Sequence, residues 1–116
     1  MVAGCSVNER EGGGVFARIT TYEGRPERMG EFRRAMVEHV IPALRRLPGF
    51  QGILFLADHQ SGKLLAVALW ETEESMNDSE ESAYWFRAYG AETANERLTG
   101  VERYEVILSE LKGLKL

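Results

Sequence analysis

From Val15 onward, the spacing of apolar residues alternates between a two-residue period and a three-to-four-residue period. "VFARITTY" (15–22) alternates and is rich in β-branched and aromatic residues, which predicts a first strand. "EGRPE" interrupts it, with Pro26 suited to a first helical turn. From Glu27 to Leu47 the apolar residues are Met29, Phe32, Met36, Val40, Leu44 and Leu47, spaced by three or four, which predicts a helix with one buried stripe. Pro42 falls inside this pattern. It removes a backbone donor and is expected to kink the helix there.

"LPGF" (47–50) stops the helix. "FQGILFLAD" (50–58) and "KLLAVALWE" (63–71) predict two strands joined by the turn "HQSG", in which Gly62 is available for a positive φ. Residues 72–98 predict a second helical region, with Ser79 as N-cap, Glu80 and Glu81 favouring the dipole, and Gly100 as C-cap. "VERYEVILSEL" (101–111) predicts the fourth strand. The order β-α-β-β-α-β predicts an α+β fold of the ferredoxin-like, split βαβ kind. Right-handed crossovers then place both helices on one face of a four-stranded antiparallel sheet.

Strand three is apolar on both faces: Leu65, Val67 and Leu69 on one, Leu64, Ala66, Ala68 and Trp70 on the other. Strand two repeats this, with Ile53 and Phe55 against Phe50, Leu54 and Leu56. A wet sheet face would alternate cleanly. A second apolar face left bare would be an aggregation-prone patch. A second copy packed sheet to sheet covers it, so the pattern predicts a homodimer with a barrel-like interior.

Bulk properties narrow the function more than they define it. The 116 residues suit one domain, with residues 15–111 folded between a glycine-rich tail (1–14) and a short C-terminal tail (112–116). A net charge of −4 gives no field favouring nucleic acid or an anionic membrane, and no apolar run reaches spanning length. One cysteine, Cys5, excludes an internal disulfide. "MVAGCS" is similar to the end of a lipoprotein cleavage site but is preceded by no apolar region, so it reads as a tail and a cytoplasmic location is expected. Two distant histidines give no metal-ligand spacing, no phosphate-binding glycine loop is present, and neither metal nor cofactor is expected.

The candidate chemistry sits on a few side chains. Arg18, in mid-strand with Phe16 and Thr20, needs a carboxylate, a carbonyl or a bound anion; Glu105 on the neighbouring strand is the expected structural partner. His39 borders the buried stripe and has the near-neutral pKa of a general base. In "AYWFRAY" (83–89), Phe86 and Tyr89 share a helix face, and Trp85 also meets Tyr89. Tyr89 is the preferred hydroxyl, because Gly90 thins the helix beside it, and Tyr104 on strand four is the second. Trp70 fills core or lines a pocket, with Ala66 and Ala68 leaving room beside its ring.

Residues 15–110 resemble the antibiotic biosynthesis monooxygenase-like group of the dimeric α/β-barrel superfamily. The likeness rests on "VFARITTYEGRPERMGEFRRAM", on Pro42 followed by "LPGFQGILFL", and on "LLAVALWETEESM", where a strand ends in Trp-Glu before an acidic helix start. It implies a homodimer with pockets between sheet and helices, and oxygenase chemistry without metal or flavin on a phenol or quinol that itself reduces oxygen. Haem-degrading relatives share the tryptophan, but the positions of their asparagine and histidine fall here at Ala17 and near Gly90. By this reading Trp70, Arg18, Tyr104 and Phe86 bind a small aromatic substrate, and His39 and Tyr89 handle its proton. The alternative is a non-catalytic dimer of the same fold that binds a small molecule.

Overall fold

The computed structural model describes residues 14–94 and 97–114, with the side chains of 90–94 outside the description. The predicted N-terminal tail therefore falls almost wholly outside the described residues. Four strands, β1 (Phe16–Glu23), β2 (Phe50–Asp58), β3 (Lys63–Trp70) and β4 (Arg97–Glu105), form one antiparallel sheet in the order β2-β3-β1-β4. This is the split βαβ plan read from the sequence.

The first helical region follows β1 as a 3-10 turn (Pro26–Arg28), α1 (Met29–Ala35), a π turn (Met36–Val40) and α2 (Ile41–Leu44). The irregularity predicted at Pro42 lies in the turn before it. Pro42 follows that turn directly in a continuous run of helical backbone, where it removes one backbone donor and crowds the carbonyl four residues back, inside the widened turn. The Ile41 N–H donates to Met36 O, five residues back, so the widened turn takes up the extra residue. Met29, Phe32, Met36, Val40 and Leu44 are all buried, as their spacing requires.

The second helical region is also divided. α3 (Glu73–Asp78) is capped by Thr72, which accepts from the Ser75 N–H at 3.0 Å in a reciprocal capping box. α4 (Glu80–Ala94) begins two residues after α3 ends. The predicted N-cap, Ser79, spends its hydroxyl elsewhere, donating to Met76 O at 2.7 Å and accepting from Arg18 Nη2 at 2.7 Å. The predicted C-cap, Gly100, lies inside β4, paired with Thr21. β4 starts earlier than predicted, because a bulge at the Thr21/Tyr22 register shift absorbs Thr99 and lets pairing extend back to Arg97, and it ends at Glu105, level with Phe16 at the start of β1.

Burial separates the two sheet faces. Tyr22, Leu64, Ala66, Ala68 and Trp70 are buried with the helix stripe in one core, and Leu65, Val67 and Leu69 are only half-buried on the other face. Phe50 departs from its predicted face. A bulge at Gln51 pairs Phe50 with Trp70, and the two rings meet edge to face at 5.6 Å.

The "LPGF" junction needs its glycine. Gly49 has φ +80°, and a Cβ there would clash with the Ser75 side chain. Gly62 has the positive φ expected of it, in the β2–β3 turn.

Candidate functional site

β1 presents Phe16, Arg18, Thr20 and Tyr22 to the helices, and Arg18 is the only charged member of that row. Its residue exposure is 3%, so every contact it makes replaces water. Nη2 donates to Met76 O at 2.6 Å and to Ser79 Oγ at 2.7 Å, and Nε donates to Glu80 Oε2 at 3.0 Å. The partner is thus Glu80 on α4, and not Glu105. Glu105 is level with Phe16, whereas Arg18 is level with Arg103, and Glu80 reaches down between the two arginines.

Arg103 Nε donates to the same Glu80 oxygen at 3.0 Å, and Arg87 Nη2 lies 3.7 Å from Oε1. One carboxylate therefore faces three guanidinium groups. Burial works to raise the Glu80 carboxyl, but the Arg103 hydrogen bond and the charges of Arg18, Arg103 and Arg87 outweigh it, so it titrates below the usual glutamate range. Burial lowers the Arg18 pKa and Glu80 opposes that shift.

Above this cluster lies a cavity of about 40 Å³ between sheet and helices. Its polar wall is Arg18, Thr20, Tyr22 and Arg87, and its apolar wall includes Met36, Val40, Ala66, Ala68 and Phe86. Arg87 Nη1 is buried and has no hydrogen-bond partner. A groove of about 610 Å³ runs beside the cavity between the first helical region and β2, and Met36, Ile53 and Phe55 line both.

The predicted site residues separate into groups. Arg18 and Phe86 line the cavity. Trp70 is fully buried one step along β3 from Ala68, packed on Phe50, with the Arg18 guanidinium 5.5 Å from its ring centroid and its Nε1 without a hydrogen-bond partner. It stands beside the cavity without forming its wall. His39 in the π turn and Tyr89 on α4 meet edge to face at 5.6 Å, both solvent-exposed and neither on the cavity wall. Trp85 meets Tyr84 rather than Tyr89. Tyr104 is on the opposite sheet face, level with Ala17, and a hydrogen bond to Glu102 pushes its phenol up. Among the described residues no group of histidine, cysteine and carboxylate side chains could hold a metal ion.

Arg87 was not singled out from the sequence, and Glu80 was read only as a first-turn acid suited to the helix dipole. The available signal was their seven-residue spacing, two helical turns, which puts them on one face of α4.

The antibiotic biosynthesis monooxygenase family profile matches residues 15–91. The chain belongs to this family. Two uncharacterized proteins of Mycobacterium tuberculosis, Rv2557 and Rv2558, are 38% and 39% identical over 72 and 67 residues, covering 62% and 58% of this chain. Those stretches are 32% and 28% of the relatives, so the match spans about a third of their length. Among solved structures, the monooxygenase from the gene ActVA-Orf6 of Streptomyces coelicolor, in complex with nanaomycin D, superposes with a TM-score of 0.64 at 17% identity, covering 87% of this chain and 94% of that one. The haem degrader MhuD of Mycobacterium tuberculosis, with two haems in its active site, superposes at 0.60 with 22% identity over 82% and 98% of the chains. Both share the fold.

Proposed function

We propose that the protein is a cofactor-independent monooxygenase of a small aromatic or quinol-type molecule, acting as a homodimer joined through the open sheet face. The observation that carries this reading is the unpartnered, buried Arg87 Nη1 in the cavity wall. A buried guanidinium N–H without an acceptor costs free energy. A substrate phenolate oxygen would satisfy it through a charge-assisted hydrogen bond.

The chemistry asked of the protein is then modest. Arg87 stabilises the anionic form of the substrate, whose electrons reduce oxygen. Apolar walls exclude water, and Phe86 and Met36 orient the ring. Arg18 donates through Nε and Nη2 to Glu80, Ser79 and Met76, which holds it in the polar wall. His39 and Tyr89 stand at the helix surface, where they would pass a proton only to a substrate that reaches between the helices.

Size sets a condition. A cavity of about 150 Å³ is needed to hold a benzene ring, and this one is about 40 Å³. The substrate must enter from the adjoining groove by displacing Met36 and Phe55, and methionine is the side chain best able to give way.

Oxygen uptake with a panel of hydroquinones tests the reading. Wild type should exceed the buffer blank, Arg87→Leu should lose at least tenfold in kcat/KM, and Arg87→Lys should recover part of it. Wild type matching the blank across the panel removes the enzyme reading. The second reading, a non-catalytic small-molecule-binding dimer, is favoured by the absence of His39 and Tyr89 from the cavity wall. It expects saturable ligand binding weakened by Arg87→Leu, with no oxygen consumed.

A further inference from the structure

The groove beside the cavity carries a row of side chains that the fold itself does not use. Arg33, Val37, Ile41 and Arg45 all stand on its wall and follow one another at four-residue steps along the first helical region. At 1.5 Å per residue the two arginines are about 18 Å apart along the backbone, with two aliphatic side chains between them. Val37 is 50% exposed and Ile41 half-buried. β2 adds Ile53, Leu54 and Phe55 to the wall, and the buried Phe32 and Met36 lie behind the row. The volume of about 610 Å³ falls within the range of small-molecule sites, about 300–1,000 Å³.

The wall holds cations and no anion. Arg33, Arg45 and His59 line it, and no aspartate or glutamate does. From His39 to Ala57, a stretch that includes Arg45 and most of β2, the chain has no acidic residue. The acids of the first helical region are engaged or placed elsewhere. Glu31 accepts from Arg28 at 2.6 Å, and Glu38 lies 3.9 Å from His39. Glu27 belongs to the 3-10 turn, at the opposite end of the region from Arg45. Among the described residues the Arg45 guanidinium has no ion pair. The Arg33 end is less one-sided, because Asp58 stands next to His59 at the end of β2.

We propose that the groove binds a chain-like amphiphile with a single anionic head, of the long-chain carboxylate class. The carboxylate sits on Arg45, and the apolar body lies along Ile41, Val37 and Phe55. Charge complementarity selects the head, since a guanidinium fork receives a carboxylate through paired N–H donors. The apolar row selects the body. A peptide would bring backbone N–H and C=O groups that such a wall leaves unpaired. The C-terminal segment reaches the groove only with Leu114 among the described residues, itself 57% exposed, and leaves the row open. No oxygen chemistry is asked of the groove, so the proposal goes beyond the cavity reading and does not depend on it.

Calorimetric titration of the full chain with decanoate, below its micelle concentration, is the test. Binding should saturate at one decanoate per chain. Octanoate should bind about fifteenfold more weakly, because each buried methylene is worth about fourfold. Decanol, with the same body and no charge, should bind weaker than decanoate by about tenfold or more. Arg45→Gln should bring decanoate down to the level of decanol and leave decanol unchanged, with native circular dichroism. Arg33→Gln should cost decanoate less than Arg45→Gln does, and Ile41→Glu should abolish binding of both ligands. Decanoate that fails to saturate, decanol that binds equally well, or an Arg45→Gln variant that binds as wild type overturns the proposal. Two further results also overturn it. One is a doubling of mass without ligand that Ile41→Glu abolishes, which puts a second copy in the groove. The other is binding to phosphatidylglycerol vesicles with none to free decanoate.

Discussion

At the level of single residues, the sequence made Arg18 conspicuous and mistook its partner. A mid-strand arginine among apolar neighbours demands an acceptor, and that much was legible. Its partner sits 62 residues away on α4, and only the crossover brings Glu80 over β1. Glu80 is the better point of attack. Glu80→Ala leaves Arg18 buried without its carboxylate and should cost about 3 kcal/mol in urea unfolding. Arg18→Met removes the charge as well and should cost less than Glu80→Ala. The acid response follows from the lowered Glu80 pKa. The native carboxyl titrates below its ordinary value of 4.5, so the unfolded chain takes up that proton first as pH falls. The stability gap between wild type and Glu80→Gln should be full above pH 4.5 and should shrink below it. A gap that stays constant down to pH 3 would show that Glu80 acts by packing alone. Trp70 asks a different question, and its complete burial answers it. Trp70→Ala should cost about 3–5 kcal/mol, whatever becomes of any ligand.

At the level of elements, periodicity located every strand and both helical regions, and missed where each helical region breaks. The first break had a signal. Phe32, Met36, Val40 and Leu44 are spaced by four each time, a period longer than the 3.6 residues of an α-helix. A π turn keeps those side chains on one line where a regular helix would let them drift. The second break turned on reading Ser79 as a cap when Thr72 holds that role. Thr72→Ala should cost about 1 kcal/mol, and Ser79→Ala should act instead through Arg18. The bulge at Gln51 was invisible because alternation alone assigns faces, and one extra residue inverts the assignment for everything before it. Gly49 ties two elements together. Gly49→Ala should cost about 2 kcal/mol in thermal unfolding, through both its positive φ and the Ser75 contact. Gly52→Ala, with open space around the new methyl, is the control.

Across the whole molecule, the two-faced apolar strands told more than any motif. The helices cover one face, as predicted. The other keeps Ile19, Leu54, Val67 and Leu69 half exposed across three adjacent strands. That face is where the proposed dimer is most easily broken. Val67→Lys should leave a folded monomer by sedimentation, whereas Glu71→Lys, exposed at the strand end, should leave the dimer intact. The site was less legible than the fold for a physical reason. A cavity is a remainder, set by how side chains from six elements fail to meet, and no local pattern encodes it. Arg87 is the clearest case, an unremarkable helix arginine until the fold turns its Nη1 inward without an acceptor.

The π turn has a consequence for how this chain tolerates insertion and deletion. Five residues, Met36–Val40, occupy a turn that a regular helix completes with fewer. The segment thus carries one residue of slack. Removing exposed Glu38 should let the turn close into ordinary α-helix, with the elements on either side keeping their places. Removing one residue from the middle of α4 has no such slack to draw on. It would rotate everything beyond the cut by about 100°, swinging Arg87 out of the cavity wall.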